Sequence, residues 1–303
     1  MSRYQSARNS EGMLEELFRK AVQLGQRIAT EDNIRFRELL DRARELWTEY
    51  TPRHDVKNHI IMGVDSGWNY RLYEGFYVYA MRAAAVDEHQ RIHEPSVEFS
   101  RIEGDQMNLT PENYVKVQGE IAEHNVAYRV ADEADFVLVD GSLTARLQNA
   151  SNILWRRPLL SEYLAFARSL RDRRNVVFVA KYSHRKSLLQ GVLGDIYYIA
   201  RSVRAPGYVL GGSEEHSGMW ITTAYIRLAD HAQPLAIEIP SRDIEEEEVR
   251  RIMDVLSSRS VKGYPYALYL AHRVVSVPDR LMDQLCRTAG LIAFHEAREV
   301  LGL

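Results

Sequence analysis

The sequence predicts an α/β fold: a mixed β-sheet flanked by helices, with a long helical arm before it and a helical carboxyl end. Three observations lead there. Residues 60–64, 136–139 and 176–180 are short apolar runs of the length expected for strands buried on both faces. Residues 72–86 are rich in tyrosine, phenylalanine and valine, residues 91–102 alternate through Ile92, Val97 and Phe99, and both follow the first run closely, as consecutive antiparallel strands would. The later strands alternate with stretches of helical period, which brings parallel pairing into the same sheet. Each apolar run is followed by a charge: Asp65, Asp140 and Lys181. Ligands of such sheets collect at strand ends, so these three are candidate site residues. Asp-Ser-Gly at 65–67 and Asp-Gly-Ser at 140–142 are also ordinary turn chemistry, and that alternative stays open.

Taken in order, residues 11–50 read as a helical arm, with Phe36, Leu39, Leu40, Ala43, Leu46, Trp47 and Tyr50 in an apolar stripe. Asn69-Tyr70 reads as the turn after the first strand. Thr110 and Pro111 start a helix to about residue 134, whose stripe of Val115, Gly119, Ala122, Val126 and Val130 contains Glu123. Glu120 lies at the edge of that stripe, beside Lys116 and His124. A carboxylate on a buried helix face needs a metal ion or an arginine as partner. Residues 143–157 read as a loop, 158–173 as a helix and 182–186 as a basic cluster. The glycine-rich residues 207–218 read as a loop, 219–228 and 235–239 as strands, and 243–256 as a helix. After Gly263-Tyr264-Pro265, residues 266–275 form a helix with Leu268, Ala271 and Val275 on one face and His272 beside them. Residues 278–303 read as helical.

No composition break divides the 303 residues, which are expected to form one domain: arm 11–50, core 58–277 and carboxyl-terminal helices 278–303. A single cysteine, Cys286, rules out an internal disulfide, and no run approaches the roughly 20 apolar residues of a membrane span. A cytoplasmic location without membrane attachment is the expectation. A net charge of -3 does not mark a general nucleic-acid binder, so any DNA affinity must come from a local basic channel. The P-loop spacing G-x-x-x-x-G-K-[ST] occurs nowhere, so movement along DNA would have to come from a partner.

Asp65, a helix glutamate, Asp140 in Val-Asp-Gly-Ser-Leu, Lys181, and Tyr264 with His272 eight residues later form an ordered set that resembles the NurA nuclease family over residues 60–277. The resemblance implies an RNase H-like core, a homodimer, and a metal-dependent DNA nuclease with endonuclease and 5′-to-3′ exonuclease action. It implies a HerA-type hexameric ATPase as partner, in DNA-end processing or phage defence. It also implies Asp65, Asp140 and a helix carboxylate as the metal-binding acids. Glu123 fits that place by its distance from Asp140, with Glu120 as the alternate. Mn²⁺ or Mg²⁺, as two ions, suits such carboxylates. His272 would be a nitrogen ligand or proton shuttle, Lys181 would contact the scissile phosphate, and Tyr264 would position DNA or a water. The sequence departs from the family in having Asp65-Ser66-Gly67 where Asp-Gly-Ser is common, and it is compact beside larger members. The rival expectations are a catalytically silent, DNA-clamping adaptor subunit of a ring ATPase, and an RNase H-like enzyme acting on RNA.

Overall fold

Two helices, α1 (Ser2–Thr30) and α2 (Ile34–Leu46), lead into a two-residue strand, β1 (Thr48–Glu49). Three long strands follow, β2 (Ile61–Tyr73), β3 (Phe76–Asp87) and β4 (Ile92–Ile102), and then helix α3 (Pro111–Val130). Next come β5 (Phe136–Asp140), α4 (Leu143–Ile153), α5 (Pro158–Ser169), β6 (Val176–Ala180) and α6 (Asp195–Ser202). Strands β7 (Gly207–His216), β8 (Met219–Arg227) and β9 (Leu235–Ile239) complete the main sheet. Helix α7 (Glu246–Ser257), the hairpin β10 (Ser260–Val261) and β11 (Tyr264–Pro265), and helices α8 (Tyr266–Val275) and α9 (Asp279–Thr288) are the remaining elements of the described residues. This is a computed structural model; it describes residues 2–30, 34–53, 58–73, 75–103, 109–155 and 157–291.

Among the described residues the main sheet has nine strands in the order β1-β7-β8-β9-β6-β5-β2-β3-β4. Strands β2, β3 and β4 are antiparallel, whereas β5 pairs parallel with both β2 and β6. The expected RNase H-like mixed core is therefore present, extended past β6 by four antiparallel strands.

The strand period of two assigns each side chain to a face. Met62, Val64, Val137, Val139 and Phe178 pack with α3, α4 and α5. Ile61, Leu138, Val177 and Val179 face the other way, onto α7 and α8. Gly63 and Gly67 point toward α8, and a Cβ on them would lie 2.3 Å from the Ala267 carbonyl oxygen and 2.2 Å from that of Val275. The helix backbone therefore rests directly on β2.

Four expectations about the elements are corrected. Asn69-Tyr70 is not a turn: β2 runs on, pairing Asn69 with Ala80 and Tyr70 with Tyr79. Asn69 is held in the strand because its amide donates to the Val277 carbonyl and the Asp279 carboxylate, both at 3.1 Å, outweighing its turn preference. The arm helix stops at Leu46, and Thr48 and Glu49 pair with Tyr208 and Gly207. Of the expected loop, residues 143–153 are helix α4, with Leu143, Leu147 and Ala150 as its buried stripe. Its amino end is capped twice: the Ser142 hydroxyl accepts from the Ala145 amide at 3.1 Å, and Glu238 accepts from the Thr144 amide at 2.9 Å. Residues 207–218 form β7 and its turn, the glycines serving a bulge near Gly212 (φ +86°) and a turn at Ser217-Gly218. The last helix, α9, ends at Thr288; residues 292–303 lie outside the described residues.

Candidate active site

Val64 opposite Val139 is the last parallel pair between β2 and β5. Beyond it the sheet splits. Strand β2 continues along β3, while β5 stops at Asp140 and Gly141, at φ +102°, turns the chain into α4. Asp65 and Asp140 are the first residues past that last pair, so their carboxylates stand together at the split. By the alternation of the strands both belong to the face covered by α8. Asp65 is thus placed by the register of a continuing strand, and Asp140 by a strand end.

Helix α8 brings His272 over this point, its Nδ1 2.9 Å from Asp65 Oδ2. Ligand atoms of Asp65, Asp140 and His272 all lie within 4.8 Å of one another. The Tyr264 hydroxyl, on the short strand leading into α8, donates to Asp140 Oδ1 at 3.0 Å. Asp65 is buried, whereas the His272 side chain is 72% exposed, so the cluster opens to solvent on one side. Burial raises the Asp65 pKa, the Asp140 charge raises it further, and the hydrogen bond from His272 offsets part of this. Burial and the neighbouring Asp140 raise that of Tyr264. Two carboxylates forced together, one buried and one half-buried, create a demand for positive charge, and an oxygen-rich set with one imidazole suits a hard divalent cation. The donors present fit Mn²⁺ or Mg²⁺.

Glu123 approaches the same split from the opposite face. Ser66, one residue after Asp65, points toward α3 and donates to Glu123 Oε1 at 2.5 Å. Arg146 on α4 lies 2.6 Å from Glu123 Oε2. Glu123 is outside the Asp65–Asp140–His272 cluster but adjoins it through Ser66. Glu120 turns away and accepts from the Tyr163 hydroxyl at 2.6 Å, so of the two glutamates it is Glu123 that reaches β2. Lys181 follows β6 and sets its Nζ 4.1 Å from the centre of the Tyr264 ring. Ser66 and Arg146 were not singled out from the sequence. Arg146 hid in a segment read as a loop, although the 143–147–150 stripe carried the signal of a helix.

Burial pushes the Glu123 pKa up to about 7, against the lowering influence of Arg146 and with a further rise from Asp65. A carboxyl whose folded pKa lies above its unfolded value of about 4.3 costs stability as pH rises through that interval. His124, wholly buried between the Tyr163 and Phe178 rings, has the opposite slope: burial holds it neutral, so it costs stability as pH falls below about 6.5. Comparing the protein with Glu123→Gln cancels the histidine. In chelator, the stability of the variant relative to the parent is expected to grow from pH 4.5 to pH 7, by roughly 3 kcal/mol at most. Denaturant unfolding at several pH values checks this, and a difference independent of pH would refute it.

A family model described as NurA domain matches residues 59–277. The DNA double-strand break repair nuclease NurA of Saccharolobus solfataricus is 23% identical over 299 residues, covering 84% of this chain and 87% of that protein. The crystal structure of the NurA nuclease from Sulfolobus solfataricus has the same fold, with a TM-score of 0.75 at 22% identity over 91% of this chain and 96% of that one. A crystal structure of NurA bound to dAMP and manganese gives a TM-score of 0.58 at 13% identity, covering 97% and 98%.

Proposed function

The chain belongs to the NurA family, and from that premise we propose that it is a metal-dependent DNA nuclease that hydrolyses phosphodiester bonds at the Asp65–Asp140–His272 cluster. The observation that carries this is the convergence of those three side chains within 4.8 Å at the split in the sheet. Relatives named as DNA double-strand break repair nucleases support DNA as the substrate, and the related structure with manganese supports the metal.

Asp65, Asp140 and His272 would hold one divalent ion, and Glu123, beside Ser66, is the acid available for a second. Such ions, when bound, lower the pKa of an attacking water and offset charge on the leaving oxygen. The residues of the chain do the positioning. Tyr264 orients the Asp140 carboxylate through its hydroxyl. With Nδ1, 2.9 Å from Asp65, turned to the ion, His272 would carry its proton on Nε2 at the open rim. Lys181, stacked on Tyr264, can pair with a phosphate oxygen of the strand being cut.

End-labelled linear DNA incubated with manganese, magnesium or chelator tests the proposal. Cleavage that needs a divalent ion is expected; DNA binding without cleavage in any metal would favour the silent adaptor. For partners, the full-length helix α1 exposes Met13, Leu17 and Phe18 at 63–70%, an apolar face that supports a homodimer. Light scattering should give a dimer that Leu17→Glu/Phe18→Glu converts to a monomer, and a monomer at every concentration would remove the dimer. A HerA-type ring ATPase is the other partner we propose. If adding it with ATP leaves cleavage unchanged, it is not one.

A further inference from the structure

Arg146 touches two acids of the site at once. From the first turn of α4 its Nη2 donates to the backbone carbonyl of Asp140, while Nη1 lies 2.6 Å from Glu123 Oε2. The guanidinium carbon is 5.8 Å from the centre of the Phe178 ring, and the side chain is only 12% exposed. Gly141 makes room for it, since a Cβ there would sit 3.2 Å from Nη2. The approach to Glu123 falls outside hydrogen-bond geometry at both atoms. The contact is one of charge with charge, whereas the Asp140 carbonyl and Ser66 hydroxyl make directed bonds that hold Arg146 and Glu123 separately.

We propose that Arg146 is a built-in counter-cation that occupies Glu123 and competes with a divalent ion for that carboxylate, so that Arg146 sets the ion affinity of the site. The inference rests on the metal-dependent function proposed above. Its physical basis is twofold. Glu123 is 3% exposed and, when ionised, needs a cation whether or not an ion is bound, and two cations a few ångströms apart in a poorly solvated layer repel. The guanidinium therefore weakens any ion that Glu123 helps to hold. The separate bond to the Asp140 carbonyl would keep the arginine in its place when it gives up the acid. Arg146 is in this sense a positioning residue, acting through Glu123.

Mn²⁺ binding to the full-length protein without DNA, measured by calorimetry or electron paramagnetic resonance, tests the proposal. Arg146→Met should bind Mn²⁺ roughly tenfold more tightly than the parent, because the repulsion is gone and Glu123 is released. Arg146→Lys keeps the charge and should stay within about threefold of the parent. Glu123→Gln/Arg146→Met should gain clearly less over Glu123→Gln than Arg146→Met gains over the parent, because only the part of the gain that passes through Glu123 is lost. Equal or weaker binding by Arg146→Met overturns the proposal, and so does a gain of undiminished size in the double variant. Should Arg146→Met fail to fold, the parent protein carries the test. The Arg146 Nε–H resonance, identified by its loss in Arg146→Lys, should move as Mg²⁺ is added, with the midpoint of ion binding. A resonance that stays fixed to saturation overturns the proposal. If the parent cleaves DNA with manganese yet Arg146→Met gains no affinity, this inference fails and the nuclease assignment stands; if neither protein binds Mn²⁺, both fail.

Discussion

Asp65→Asn is expected to lower manganese-dependent DNA cleavage by about a thousandfold or more, which corresponds to some 4 kcal/mol of transition-state stabilisation, while leaving the fold at least as stable. The loss follows from the place of Asp65: it shares the split in the sheet with Asp140 and is the residue to which His272 is anchored. An asparagine fills the same volume and keeps an oxygen to accept from the Ser66 amide, now 2.8 Å from Asp65 Oδ1. It brings no negative charge, and a divalent cation held mainly by carboxylates binds such a site poorly. The gain in stability has a definite sign. Burial and Asp140 raise the Asp65 pKa, so the folded state takes up a proton more readily than the unfolded chain. The ionised carboxylate therefore costs stability that grows as pH rises above the unfolded value of about 3.9. In chelator, Asp65→Asn should melt at or above the parent at pH 8, with the advantage shrinking toward pH 4. Undiminished cleavage by the variant would take Asp65 out of the mechanism, and a much lower melting temperature at pH 8 would show that the acid holds the fold together.

The architecture was legible where one periodicity dominated. The apolar runs before Asp65, Asp140 and Lys181 are strands because each is buried on both faces, and the stripe around Glu123 is a helix packed on nearly every side. What misled was composition. Gly207, Gly211, Gly212 and Gly218 look like a loop, yet these residues make a bulged hairpin, since glycine also serves close strand approach and positive φ. Asn69 has turn chemistry but spends its amide on the first residue of α9 and on the Val277 carbonyl two residues before it. The site was legible as residue types, with Asp65, Asp140, His272 and Tyr264 brought together. Its two-faced construction was not. Whether a helix acid meets an ion, an arginine or a serine depends on the parity of β2 and the course of α4, and neither is written in spacing alone. Glu123 has both a serine and an arginine beside it.

Gly67→Ala and Gly63→Ala should damage the site although neither residue holds the ion, because these glycines fix the height of α8 above β2. Each added methyl would meet backbone: 2.2 Å from the Val275 carbonyl oxygen at position 67, and 2.3 Å from that of Ala267 at position 63. Backbone cannot swing aside as a side chain can, so the helix must lift. Overpacking of this kind costs typically about 1–3 kcal/mol, and in a chain of this size each kcal/mol lowers the melting temperature by about 2 °C. The effect on activity should be larger than the effect on stability. Asp65 lies between the two glycines on the same face of β2, and His272 lies between Ala267 and Val275 on α8. A lift of even 1 Å would open the 2.9 Å contact between them, and a misplacement of that size can cost about a hundredfold in rate. Gly25→Ala provides the control: on α1 nothing lies within 4 Å of the added carbon, and alanine in a helix is expected to be neutral or to stabilise by about 0.5–1 kcal/mol. Thermal melts and manganese-dependent cleavage rates for the three variants decide the matter. Parent-like cleavage by folded Gly63→Ala and Gly67→Ala proteins would mean that the spacing between α8 and β2 does not set the reacting geometry.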